Sequence, residues 1–276
     1  MDGFIGQSDG LYRLVIFVGV FQLMAAIELF SPRRRLSVSK ARRWLTNLGI
    51  AGVDTVVLRA MAALAVPVAA VAAALYAKEH QLDLLNHADL PFWLRVVVAL
   101  LVLDLAIWAQ HLASHKVPLF WHLHEVHHPD RDVDVTTAVR FHPIEIALSM
   151  LWKIAVVIAL GALPFAVFVF EVILNASAMF NHANIACSHG SIALCGSSSS
   201  RWICTVCTIR CCMRSMTALM ASTRRFGIAC SERIARGPEA GQQGMTLGLP
   251  PYQSEAPTRF AWSLWLSFGS QQARTD

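Results

Sequence analysis

Charge is scarce in this chain: 15% of its 276 residues are charged and 55% are hydrophobic, and the mean hydropathy is +0.50. The apolar residues come in runs and do not alternate as they would in a soluble core, so the composition points to an integral membrane protein. Neither a Gly-rich dinucleotide loop nor a haem-binding module is present, so no electron-donor domain is visible. The net charge of +5 sits near the first apolar run and in the arginines after Ile185, which gives no case for nucleic-acid binding. Met1 to Gly10 has no basic n-region and no small-residue cleavage pattern follows, so the first run reads as an uncleaved span. Cysteine is confined as well, with all seven between Cys187 and Cys230.

The apolar runs set an expected topology of all-α class, a polytopic domain with about four to five membrane-embedded helices. The first span is expected over roughly Leu11 to Phe30. Arg33, Arg34, Arg35, Lys40, Arg42 and Arg43 follow it at once, and such a cluster belongs on the cytoplasmic side. A second span is expected near Val56 to Ala77, with Arg59 snorkelling at its start, and a third from about Phe92 to Gln110. Counting from the basic cluster, the third span exits on the cytoplasmic side and places the chain from His111 to Glu145 there. Ile146 to Phe180 is apolar again, broken by Gly161 and Pro164, and suits a hairpin of two spans or re-entrant helices.

Five histidines fall in the cytoplasmic stretch: His111 and His115 as H-x-x-x-H, and His124, His127 and His128 as H-x-x-H-H. Neutral imidazole suits iron, zinc and copper, and unpartnered polar groups beside a bilayer are costly. His111 and His115 share one face of a helix continuing the third span. The second group offers adjacent imidazoles plus one a turn earlier, enough to serve two ions. His80, His87 and His122 read as ordinary hydrogen-bonded histidines. His124 to His128 also satisfies H-E-x-x-H, in which two histidines hold zinc and Glu125 activates water. A zinc hydrolase of that kind leaves His111, His115 and His127 without a role.

With Leu119 to His128 as L-F-W-H-L-H-E-V-H-H, Arg140-Phe141-His142-Pro143 and Asn181-His182-Ala183-Asn184-Ile185, the chain resembles the fatty acid hydroxylase and sterol desaturase superfamily over roughly Val96 to Ile185. The resemblance implies a di-iron oxidoreductase that uses O2 and an external electron donor to hydroxylate or desaturate a membrane lipid. It matches His111, His115, His124, His127, His128 and His182 to iron ligands, and leaves His142 open between a ligand and a group that orients one. It implies an inner-membrane location in a bacterium with the histidines cytoplasmic. The implied division is 1–90 for N-terminal spans, 91–185 for the catalytic core, 186–236 for an anomalous segment and 237–276 for a tail.

The family pattern requires another H-x-x-H-H box after His182, and this sequence has none. Only His189 lies between Ile185 and Gly237. Cys204-x-x-Cys207 with Cys211 and Cys212 is one account of this segment, as a zinc or redox site, though no second C-x-x-C accompanies it. Another is a shifted reading frame. Cysteine is TGY and threonine ACN, so moving the frame back one base turns each Cys-Thr junction into a YAC codon. Ile203 to Ile209 can then encode Met-His-Arg-Val-His-His, the missing box in its expected place. Phe226 to Ala235 can encode Val-Trp-Asp-Arg-Leu-Phe-Gly-Thr-Tyr-Arg, which resembles the stretch after that box in bacterial members. On this reading the chain as written lacks most of one iron's ligands and is catalytically dead.

Overall fold

The computed structural model describes residues 2–63, 70–80, 84–85, 90–186 and 247–269. Helices dominate: α1 (Asp2–Phe30), α2 (Lys40–Ala63), α3 (Ala70–Glu79), α4 (Phe92–Lys116), α5 (Pro118–His124), α6 (Pro143–Leu160), α7 (Pro164–His182) and α8 (Phe260–Trp265). Among the described residues the only β-type pairing is an isolated bridge between Pro32 and Ile185. Five helical segments are long and apolar enough to cross a membrane: Gly10–Phe30, Lys40–Ala63, Phe92–Lys116, Pro143–Leu160 and Pro164–His182. The chain is therefore read as an integral membrane protein.

Proline and glycine punctuate these helices. Pro118, Pro143 and Pro164 open α5, α6 and α7 in the first turn, where a missing N–H costs nothing. Gly161 closes α6 in the left-handed region at φ 67°, so Ile146 to Phe180 is a hairpin of two helices, as its Gly and Pro suggested. The second span differs from expectation. It begins at Lys40, not near Val56, and the apolar stretch to Ala77 is divided between the end of α2 and the short α3. The reason is electrostatic, because Arg43 is neutralised in the fold and no longer keeps the helix start out of the bundle.

α3 presents Ala70, Val71, Ala73 and Ala74 to a core shared with Val96, Ala99 and Leu103 of α4, Ile154 and Val157 of α6, and Val167 and Phe170 of α7. Small residues let these backbones approach closely, which is how helices associate where apolar burial alone gives little driving force. Large side chains face outward instead, among them Leu101, Leu105 and Trp108 of α4 and Leu148, Leu151 and Trp152 of α6. In a bilayer these are lipid contacts. Glu171 of α7 pairs with Arg13 of α1 and with Lys153 of α6 at 3.0 Å, so the carboxylate within the span is compensated.

The helix ends sort into two groups. Arg33 N–H bonds the Asn184 carbonyl at 3.1 Å, joining the exits of α1 and α7. At the other end Leu85 N–H bonds the Leu160 carbonyl at 3.0 Å, and the Phe92 and Phe165 rings lie 5.9 Å apart. The first end carries the histidine boxes. It is built around Arg43, which is 0% exposed: its guanidinium contacts the Asp130 carboxylate at 2.9 Å, the Asp134 carboxylate and the Asp132 carbonyl. The C-terminal residues 247–269 pack on the same end, with Thr46 donating to the Thr258 carbonyl at 2.6 Å.

Candidate metal centre

α4 ends where Val117 turns extended before Pro118, and its last turns place His111 and His115 with Nε2 atoms 3.0 Å apart. The short α5 then swings His124 back over them. The His124 ring lies 4.9 Å from that of His111 and 4.7 Å from that of His115, both edge-on, and one ligand nitrogen from each of the three lies within 4.8 Å of the others. A single 3-10 turn, Glu125–His127, follows. It brings the His128 ring to 4.8 Å from His124 and 5.1 Å from His115. His127 meets His182, at the end of α7, with 3.0 Å between Nε2 atoms. Six of the histidines singled out in the sequence thus converge.

Hydrogen bonds assign the tautomers. His124 donates from Nδ1 to Glu145 Oε1 at 2.6 Å, His127 from Nδ1 to the Arg140 carbonyl at 3.0 Å, and His182 from Nδ1 to the Ala178 carbonyl at 2.7 Å. Each Nε2 is then a lone pair in the neutral ring. The Nε2 atoms of His127 and His182 therefore oppose each other with no proton to share, an arrangement that a cation reconciles. His124 Nε2, His128 Nε2 and His115 Nδ1 are buried without a hydrogen-bond partner among the described residues. Burial pushes the His127 and His128 imidazoles well below the usual histidine range, with the neighbouring histidines adding to the effect. Neutral rings with committed Nδ1–H groups and orphaned lone pairs are what a metal ion requires.

The surroundings keep these rings in place. Phe141 stacks on His127 at 4.5 Å and 7°, and Trp121 on His128 at 5.6 Å and 23°. Arg140 is fully buried and donates to the Val126 carbonyl, Asn47 Oδ1 and Ser263 Oγ at 2.7 to 2.8 Å. Burial draws its pKa down to about 10, with Asp130 opposing, so it stays charged at neutral pH. One residue thereby ties the second histidine box to α2 and to the C-terminal segment.

Other sequence candidates lie elsewhere. His142 does not join the cluster: its Nδ1 accepts the Ile144 N–H at 3.2 Å and caps α6, its ring meets Phe268 at 5.6 Å, and burial lowers its pKa. Glu125 accepts from the Tyr252 hydroxyl at 2.7 Å. His80 bonds the Tyr76 carbonyl at 3.0 Å and His122 that of Pro118, the ordinary use expected of them. His87, all seven cysteines from Cys187 to Cys230 and the reading-frame call on 186–236 fall outside the described residues, apart from Ala186.

Glu145 was missed as a site residue, although a carboxylate in the first turn of an apolar helix beside a histidine cluster is itself a signal. Its role gives a test. Glu145→Ala should weaken metal retention about 10- to 100-fold, as loss of a ligand-orienting partner does, whereas Glu145→Gln keeps an acceptor for His124 Nδ1–H and should lose less. Chelator competition on the purified protein measures both. Equal retention in Glu145→Ala and the parent would remove Glu145 from the centre.

Comparison with known proteins agrees with the geometry. Residues 96–205 match the family model described as fatty acid hydroxylase. No curated protein matches the chain, and no solved structure does. The matched segment is thus similar to a fatty acid hydroxylase domain, which supports a function of the hydroxylase or desaturase type in general, and that family is generally iron-dependent. The match spans every imidazole of the cluster and ends at residue 205.

Proposed function

We propose that this domain is a non-haem di-iron oxygenase that uses O2 to hydroxylate or desaturate a lipid C–H bond at the cytoplasmic face of a bacterial inner membrane. The observation that carries the reading is the convergence of His111, His115, His124, His127, His128 and His182 with their free lone pairs turned to one another. Iron held there supplies the redox chemistry of oxygen activation. The protein's own groups do the rest. Glu145 and the Arg140 and Ala178 carbonyls fix the ring tautomers, Phe141 and Trp121 limit water, and the outward apolar faces of α4 and α6 give a lipid chain a route along the bundle. Hydroxylation by O2 consumes an electron pair and releases water, so an external donor is required.

The ligand count sets a condition. A second iron needs the third H-x-x-H-H box, so the catalytic assignment applies to the chain in which Ile203 to Ile209 is read in the shifted frame. As written, the polypeptide retains the His111, His115 and His124 triad but is short of ligands around His127 and His182, and is expected not to turn over.

The rival zinc hydrolase uses His124, Glu125 and His128. It is disfavoured by Glu125 being engaged by Tyr252 and by a triad that mixes both boxes. Substitution separates the two in the frame-corrected chain. His127→Ala should abolish lipid oxidation, and Glu125→Gln should reduce it far less. Lipid oxidation that survives His127→Ala would sink the oxygenase reading.

A further inference from the structure

The C-terminal segment is polar inside and apolar outside. α8 and the single 3-10 turn after it, Leu266–Phe268, bury Ser263 completely, where its hydroxyl accepts from Arg140, and the buried Thr258 just before them accepts from Thr46 through its carbonyl. The opposite face shows Phe260, Trp265 and Phe268, with Trp265 69% and Phe268 59% exposed. A cap surrounded by water is built the other way round. We propose that this aromatic face, together with Leu119 and Phe120 of α5, is embedded in the phospholipid bilayer at the boundary of headgroups and acyl chains, and anchors the histidine end of the bundle there.

Continuity with the lipid-facing spans is the first argument. At one end of the segment the Phe260 ring closes on Gly49 of α2, where an added Cβ would stand 3.1 Å from it. Leu45, four residues earlier on the same face of α2, is 76% exposed. At the other end Phe268 meets the ring of His142, which caps α6, and α6 continues outward with Ile144, Leu148 and Leu151. α5 packs against the same 3-10 turn and is separated from α4 by Val117 alone. Its exposed Leu119 and Phe120 therefore extend the outward row of Leu101, Leu105 and Trp108. α4 and α6 are themselves joined, with Trp152 donating to the Ala106 carbonyl at 3.1 Å. The aromatic face is thus where three lipid-facing surfaces run together.

Depth and chemistry agree with this placement. At 1.5 Å per residue the 24 residues of α2 extend about 36 Å, beyond a hydrocarbon core of about 30 Å. The first turn of α2, with Lys40, Arg42 and Arg43, therefore reaches the headgroups, and Gly49 with its Phe260 contact lies roughly 14 Å further in along the axis. Aromatic rings concentrate at that boundary, and Trp265 and Phe268 form an edge-on pair there with centroids 5.7 Å apart. In water the same contiguous rings would be an association liability. Lipid held on this face borders α5, the helix that carries His124 and whose Trp121 stacks on His128.

The test reads lipid contact and not turnover, so it is independent of the metal centre. The full chain is reconstituted into phosphatidylcholine and phosphatidylglycerol vesicles that carry a phospholipid with a diazirine in its acyl chain, and the adducts formed on irradiation are mapped by mass spectrometry. Adducts are expected on residues 260–268 and on Leu119 and Phe120 at yields comparable with those on Leu101 and Leu105 of α4. Ser254 and Glu255, exposed polar residues of the same C-terminal segment, should carry none. A second measurement uses the native fluorescence. Acyl chains brominated near the headgroup should quench the parent, and Trp265→Phe should lose part of that quenching, whereas Trp262→Phe, whose ring meets Tyr252 at 5.4 Å, should not. The labelling needs no variant and Trp265→Phe keeps an aromatic ring, so a folding defect cannot imitate the expected result. Adducts on α4 with none on residues 260–268 would overturn the proposal and leave this face to another part of the chain or to a second copy. Labelling of Ser254 and Glu255 equal to that of Trp265, or quenching unchanged in Trp265→Phe, would overturn it as well.

Discussion

His124→Ala is expected to strip the purified protein of iron. The His124 ring stands between those of His111, His115 and His128, and its Nε2 is one of the buried lone pairs with no other partner. Removing it takes one of three nitrogens from the triad and leaves Glu145 buried without its imidazole partner. The loss of metal affinity should exceed roughly 100-fold, the upper end of what losing an outer partner alone costs. Turnover of the frame-corrected chain should be abolished with it. Elemental analysis of the variant beside the parent measures the first effect directly. Iron retained at the parent level would remove His124 from the metal centre.

Arg43→Ala is expected to cost about 3–5 kcal/mol of stability, because it leaves buried carboxylates uncompensated. Asp130 and Asp134 are 4% and 1% exposed and both lie on its guanidinium. A shift of the thermal midpoint on the order of 10 °C follows for a domain of this size. Arg43→Ala combined with Asp130→Asn and Asp134→Asn should recover part of that loss, since the cost lies mostly in the stranded charge and not in the missing contact. A loss under about 1 kcal/mol for the single variant, the range of an exposed pair, would contradict the burial argument.

Arg43 also marks where the sequence was read correctly and where it misled. Charge counting placed it in a cytoplasmic basic loop, and it does lie at the histidine end. Its partners, however, are 87 and 91 residues away, and no local pattern announces that Asp130, Asp132 and Asp134 will close around it. The start of the second span was misplaced for the same reason, as hydropathy counts Lys40, Arg42 and Arg43 as solvent-facing. Where the signal was local it was legible. His111 and His115 share a helix face because they are four apart, and Gly161 and Pro164 divide the apolar hairpin as such residues do. The approach of His182 to His127 was reachable only through family resemblance, since α7 delivers it from 55 residues away. The roles of Glu145, Asn47, Ser263 and Tyr252 depend on long-range packing, which neither periodicity nor motif spacing encodes.

The central claim is that the imidazole cluster is an iron centre whose second position is completed by the box concealed between Ile203 and Ile209. The most direct test is to sequence the gene across the codons for Asn181 to Met245 and to measure iron and zinc per chain in the protein made from both reading frames. The account predicts iron in excess of zinc in both forms and about twice as much iron in the corrected one. Zinc as the only stoichiometric metal, or iron that does not rise when the box is restored, would contradict it.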